Sequence, residues 1–413
     1  MRLLIQNLGP VSKCDIDLYD FNVITGKQSS GKSTIAKSLY FFLLVKDVLG
    51  RISFEWHRAG ISEAGRAESL NAVFKNHLKN IFVGVFGMDC FAHKDEALVR
   101  MDYSEDIFVK ITNKNGISVS YSNRLKDFIK HLQDRNTESL EENYFDSLQR
   151  QINDFFQFDC SPVYIPAGRS LMTVIGSQFE LFYSTLDDRN KDLIDLCSRR
   201  FFETVMRIKP LLSNGVDGLR GKKRANVIID YCQTLMKDVL NGQYRNNHGK
   251  EYLQMDDGQQ ISINMASSGQ QAALWIYNIL TYYSVYSIKK FYIIEEPESN
   301  LFPESQQIIT KFLGLIHNLG NSMLINTHSP YVLGEINNLI YAGSITQKAK
   351  ERNEVIPKEY KLSFDEVRAF FVENGLVNDC MDSEIKQIDN SKLDAISDVI
   401  NREYDRLLEI EEG

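Results

Sequence analysis

Apolar and polar positions alternate in three short runs at the start of the chain, and residues 3–7, 12–18 and 21–25 are expected to be strands. The third run feeds a glycine loop, after which the spacing becomes helical from Ser33 to about residue 45. Residues 46–95 are mixed and mostly helical in pattern. Alternation returns at 97–103, 106–112 and 117–121, with Asn113-Lys114-Asn115-Gly116 as a hairpin turn. Helical spacing over 124–157 is followed by a strand at 162–166 that ends in a proline. From 171 to about 240 the pattern is mainly helical, with a Gly/Asn/Arg-rich break at 213–224. Residues 252–255 and 261–264 suggest a second hairpin around Asp256-Asp257-Gly258. A helix at 272–286, a buried strand at 291–294, a helix at 304–318 and a buried strand at 322–326 complete the pattern. Residues 391–410 are amphipathic, with Leu393, Ile396, Val399, Ile400, Tyr404, Leu407 and Leu408 on one helical face.

Composition narrows the class. At 413 residues the chain is long for one domain and fits a composite domain carrying an insertion. Hydrophobic residues make up 43% and charged residues 25%, a soluble profile. No apolar run approaches the roughly 18–20 residues needed to span a bilayer, and the N-terminus lacks a signal-peptide layout. No membrane contact and a cytoplasmic location are expected. Six cysteines are scattered without a C-x-x-C pair, which argues against a zinc site or a disulfide framework. The net charge of −8 is unevenly spread. Residues 189–224 hold ten Lys/Arg against four Asp/Glu, and residues 374–413 hold eleven Asp/Glu against four Lys/Arg. These stretches are a basic and an acidic contact surface or two solvated helical faces.

Residues Gly26, Lys27, Gln28, Ser29, Ser30, Gly31, Lys32, Ser33 and Thr34 match G-x-x-x-x-G-K-[ST]. Between a strand and a helix, such a loop points successive N–H groups at a polyphosphate. Lys32 is expected to reach the β- and γ-phosphates of ATP and Ser33 to ligate Mg²⁺. Glu295 and Glu296 end an apolar strand, and two adjacent carboxylates there are costly unless a cation or a water offsets them. Glu295 is expected to hold Mg²⁺, and Glu296 to orient and polarise the attacking water. His328, after the next strand, is positioned to contact the γ-phosphate. Ser267, Ser268, Gly269 and Gln270 open a helix and form a candidate anion site.

The set, in this order, resembles the nucleotide-binding head of ABC-type ATPases. Within that group it resembles the soluble branch of SMC proteins, RecF and the OLD-like ATPases of bacterial defence. The resemblance implies Walker A at 26–34, a signature at 267–271, Walker B at 293–296 and a switch histidine at His328. Residues 298–303 resemble the dimer-contacting stretch after Walker B, and 163–169 resemble a stretch common in the OLD-like branch. The implied fold is α/β, an ABC-type P-loop NTPase head with a mixed sheet, an antiparallel β subdomain and a large helical insertion. The implied divisions are 1–45 and 251–345 for the two parts of the head, 46–250 for the insertion and 346–413 for a C-terminal α/β extension. In such proteins two heads associate head to tail, so Ser268 and Gly269 would act on a partner's nucleotide. The chain departs from the pattern at Glu295, where Asp is usual, at Gln270, in place of a second glycine, and at Phe302, where the related branch often has His. Gln157 and Gln178 are the candidate Q-loop residues, and slow turnover is expected.

A TOPRIM nuclease needs an Asp-x-Asp cluster, whereas Asp379 and Asp382 are spaced by two residues. A zinc hook needs C-x-x-C on a long coiled coil, which is absent from the sequence. The resemblance therefore implies an ATPase that multimerises and controls a separate effector, a TOPRIM or HNH nuclease or a toxin, in anti-phage systems such as PARIS, Septu or retron-associated ATPases. The alternatives are a RecF-like repair ATPase that binds DNA through 189–224, and an ATP-locked structural scaffold.

Overall fold

The computed structural model describes residues 1–60, 69–87, 96–114, 116–134, 144–171, 173, 185, 194–345 and 355–389. The described strands are β1 (Arg2–Leu8), β2 (Val11–Asp17), β3 (Phe21–Gly26), β4 (Ala97–Asp102), β5 (Phe108–Asn113), β6 (Ile117–Tyr121), β7 (Ser161–Ile165), β8 (Gln243–Asn247), β9 (Lys250–Gln254), β10 (Gln260–Ser262), β11 (Lys290–Glu295), β12 (Ser322–Asn326), β13 (Val367–Glu373), β14 (Leu376–Asp379), β15 (Met381–Asp382) and β16 (Gln387–Ile388). Eleven of them form one sheet in the order β6-β5-β4-β1-β2-β14-β13-β3-β12-β11-β7. β13, β3, β12, β11 and β7 run parallel, and β6 to β2 form an antiparallel meander beside them. The expected mixed α/β sheet is therefore present. Residues 46–250 supply four of its strands, so that segment is woven into the same sheet.

The parallel strands are buried on both faces. Along them, alternate residues enter opposite cores: Ile24, Ile293 and Leu324 face one, and Val23, Ile294, Met323 and Ile325 the other. Helices α1 (Lys32–Gly60), α2 (Leu70–Phe86), α3 (Asn123–Asp134) and α4 (Tyr144–Phe156) cover the first core. The second holds most of α5 (Leu196–Ile208) together with α6 (Lys223–Leu240), α7 (Ser268–Val285), α8 (Pro303–Asn318) and α9 (Pro330–Ser344). The first turns of α1 bury Ile35, Ala36, Leu39, Phe41, Phe42 and Leu43. Each large apolar side chain so buried contributes about 1.5–3 kcal/mol, which fixes this helix and the loop before it against the sheet.

A separate three-stranded antiparallel sheet, β10-β9-β8, precedes α7. Its second hairpin matches the expected turn at Asp256-Asp257-Gly258, with Gly258 at φ 87°. The strand β13 was not expected. It lies in the middle of the sheet beside β3, pairing Val372 with Gly26. The amphipathic stretch 391–410 lies outside the described residues. No described helix is long and apolar enough to cross a membrane. Cys14, Cys160, Cys197 and Cys232 are free thiols, and no described group of His, Cys, Asp or Glu side chains forms a metal cluster.

Candidate functional site

The C-terminal ends of β3, β12 and β11 open into a cleft of about 360 Å³ lined by Pro10, residues 28–34, Glu295, Glu296, Asn326 and His328. This is where ligands bind in parallel α/β sheets, beyond the carboxyl ends of the strands. The loop after β3 turns back sharply and enters α1 at Lys32. Gly26 has φ 141°, and a Cβ there would lie 2.1 Å from the Val372 carbonyl oxygen of β13, so only glycine fits. Ser29 and Gly31 also have positive φ. Lys32 folds back over the loop, its Nζ donating to the carbonyls of Gly26 at 2.9 Å and Lys27 at 2.7 Å. Burial lowers its pKa to about 8 against the opposing pull of Glu296 and Glu298.

β11 and β12 pair Glu295 with Asn326, side by side above the loop. Glu295 is buried, and its Oε2 accepts the Ala167 N–H at 3.3 Å. Its Oε1 has no hydrogen-bond partner, nor have both side-chain atoms of Asn326, Ser30 Oγ or Thr25 Oγ1. Buried polar atoms are normally satisfied, so this cluster of orphans suits a polar guest. A phosphate-bound Mg²⁺ fits the donor set: oxygen ligands from Ser33 and Glu295 beside backbone N–H groups and a lysine.

Glu296 adopts φ 44° and its N–H donates to the Asn326 carbonyl at 2.8 Å. One carboxylate oxygen accepts from Ser299 Oγ at 3.0 Å, and the other stands 3.5 Å from His328 Nε2. Glu298 escaped sequence reasoning as a site residue. It is buried, and Oε1 accepts both Thr327 Oγ1 at 2.7 Å and the His328 N–H at 2.8 Å, which fixes the histidine backbone. The run Glu295-Glu296-Pro297-Glu298 was its only signal. Arg169 also went unassigned. It is fully buried and donates to the carbonyls of Pro166, Ala272, Glu295 and Glu296.

The structure therefore brings residues 28–34, Glu295, Glu296 and His328 together. Gly26 and Lys27 act through the carbonyls that hold Lys32. Ser267, Ser268, Gly269 and Gln270 do not line this cleft. They form the first turn of α7, with Ser267 as N-cap in a reciprocal pair with Gln270. Ser267 and Ser268 are exposed. Gly269 packs against Asn300 and Leu301, where a Cβ would lie 2.6 Å from the Asn300 carbonyl oxygen. Phe302 is 73% exposed at the start of α8. Gln157 lines a different cavity, at the N-terminal ends of the parallel strands with Asp20, Phe291 and Ser322, and so cannot serve as a Q-loop. Gln178 lies outside the described residues. In the basic stretch, Lys209 pairs with Glu251 and Arg220 with Asp217 and Asp230, while Lys222, Lys223 and Arg224 are exposed.

A glycine loop between a central parallel strand and a helix, facing carboxylates on the neighbouring strand ends, defines a P-loop nucleotide-binding ATPase. Residues 1–162 and 169–333 match the model of the AAA ATPase domain, and the chain belongs to that family. A comparison with curated proteins found no match. Among solved structures the chain is similar to an SMC head bound to the C-winged helix domain of ScpA, with TM-score 0.44 and 13% identity over 92% of this chain and 95% of that one. It is also similar to the SMC head domain from Thermotoga maritima, with TM-score 0.38 and 14% identity over 92% and 97%. A third is an SMC head with an extended coiled coil, bound to the C-terminal domain of ScpA derived from Pyrococcus furiosus, with TM-score 0.42 and 12% identity over 92% and 94%.

Proposed function

We propose that the protein hydrolyses ATP in this cleft and uses the bound nucleotide to associate head to tail with a second copy. One observation carries the reading: Lys32, Ser33, Glu295, Glu296 and His328 meet in one cleft in which Glu295 Oε1, Ser30 Oγ and the Asn326 amide lack partners. Lys32 exchanges its own loop carbonyls for phosphate oxygens. Ser33 and Glu295 hold Mg²⁺, which when bound neutralises phosphate charge. Glu296, clamped by Ser299, accepts the proton of the attacking water. His328 senses the γ-phosphate beside Glu296. Head-to-tail association is supported by the exposure of Ser267 and Ser268 away from the protomer's own cleft, and by the exposure of Phe302.

The biological reading is control of a separate effector, a nuclease or toxin, in anti-phage defence. It rests on the order of the motifs and their resemblance to the OLD-like branch. The test of the core reading is light scattering with Mg-ATP. Glu296→Gln is expected to hold a stable dimer with ATP bound, and Lys32→Ala to stay in its ATP-free state. A Glu296→Gln protein that neither binds ATP nor changes mass overturns the reading. Truncation after residue 390 is expected to remove effector co-purification and leave ATP binding intact, and unchanged co-purification discards docking through the acidic tail.

A further inference from the structure

Arg169 heads the described side chains ranked by size among those fully buried. It follows β7 and does not line the nucleotide cleft. Every bond it makes ends on a backbone carbonyl. Nε donates to Ala272 at 2.8 Å, Nη1 to Pro166 at 3.1 Å and Glu295 at 2.7 Å, and Nη2 to Glu296 at 2.7 Å. These carbonyls belong to three segments: the loop after β7, the end of β11 over the cleft, and the first turns of α7. A second link runs parallel to it. The Thr173 hydroxyl donates to the carbonyls of Arg169 at 3.1 Å and Gln271 at 3.2 Å.

Burying a guanidinium is costly, and its four bonds to backbone carbonyls offset that cost. What the planar fork adds is fixed geometry among the segments it bonds. Desolvation lowers the Arg169 pKa to about 10, opposed by Glu298, Glu296 and Glu295, so the side chain stays charged at neutral pH. The ends of β11 and α7 thus cannot move independently without breaking charge-assisted bonds in a dry environment.

We propose that Arg169 is a positioning residue that couples the nucleotide cleft to the start of α7 within one protomer, so that closure of Glu295 and Glu296 on Mg-ATP orders the Ser268 end of that helix for a second copy. The inference rests on the head-to-tail reading and adds a cis relay to it. ATP in a protomer's own cleft prepares the surface that this protomer offers to the other cleft.

The test is hydrogen exchange on a chain carrying Ser268→Arg, which blocks association and leaves a monomer. In this parent, Mg-ATP is expected to slow exchange by about fivefold or more both at residues 26–34 and at residues 269–276. Adding Arg169→Lys keeps the charge but replaces the planar fork by a single ammonium, which cannot reproduce the four bonds. It is expected to leave the response at 26–34 and abolish that at 269–276. A merely structural role would change exchange equally with and without nucleotide. Retained response at 269–276 in the Arg169→Lys protein overturns the relay, as does a parent that responds only at 26–34. No response at 26–34 in the parent overturns the nucleotide-binding reading and the relay with it. Should Arg169→Lys not fold, Thr173→Val decides: a response at 269–276 reduced about twofold supports the relay, and an unchanged one overturns it.

Discussion

His328 Nε2 stands 3.5 Å from Glu296 Oε1 at the mouth of the nucleotide cleft. Both groups are held from behind: Glu298 accepts the His328 N–H, and Asn326 accepts the Glu296 N–H. The left-handed backbone of Glu296 costs about 1–2 kcal/mol, and its bonds to Asn326 and Arg169 offset that cost. Strain kept at this position fits a carboxylate aimed at a reacting water. Replacing Glu296 by Gln would remove the proposed proton acceptor and keep the shape. Phosphate release is expected to fall by about 10²–10⁴-fold while ATP affinity is retained, as measured by steady-state turnover and equilibrium dialysis.

Gly26 tests the contact between the phosphate loop and β13. Gly26→Ala places a Cβ against the Val372 carbonyl oxygen and a positive φ on alanine. A loss of about 3 kcal/mol or more in urea unfolding is expected, with ATP binding lost because the loop cannot keep its path.

Lys32 is expected to make nucleotide affinity depend on pH. Its folded pKa of about 8 lies below the unfolded value of roughly 10.4. The unfolded chain therefore binds more protons between these values, and the group's unfavourable contribution to stability, full below about pH 8, is relieved as pH rises towards 10.4. Phosphate bound against Lys32 would restore the ammonium charge. Mg-ATP affinity is expected to be flat in Lys32 titration below about pH 8 and to weaken by up to about tenfold per pH unit above it. Calorimetry in buffers of different ionisation enthalpy would show proton uptake on binding above that pH.

Head-to-tail closure predicts complementation. Lys32→Ala spoils a protomer's own cleft, and Ser268→Arg spoils what it offers a partner. Each variant alone is expected to be inactive. A mixture leaves one intact site in each mixed dimer, so roughly a quarter of wild-type turnover is expected from random pairing. An inactive mixture would argue that both motifs serve the same protomer's nucleotide.

The DNA-binding alternative now rests on fewer cations than the sequence suggested, since Arg220 and Lys209 are ion-paired. Three contacts from Lys222, Lys223 and Arg224 would give a log–log salt slope near about −3. A flat salt response, or no DNA binding by electrophoretic shift, would discard that role.

What the sequence determined by itself is local. Strand β3, its glycine loop and α1 are continuous in the chain, and loop chemistry is written in nine consecutive residues. β11 and β12 were legible because strands buried on both faces read as apolar runs, and the hairpin at Asp256-Asp257-Gly258 because turn chemistry is local. Tertiary structure decided what lies beside these pieces. β13 pairs with β3 across more than three hundred residues, and Arg169 finds its carbonyls on α7 and β11. Glu298 became a site residue only when β12 brought Thr327 and His328 against it. Periodicity records which face of a segment is buried, whereas the neighbour on that face depends on how distant edges close into one sheet.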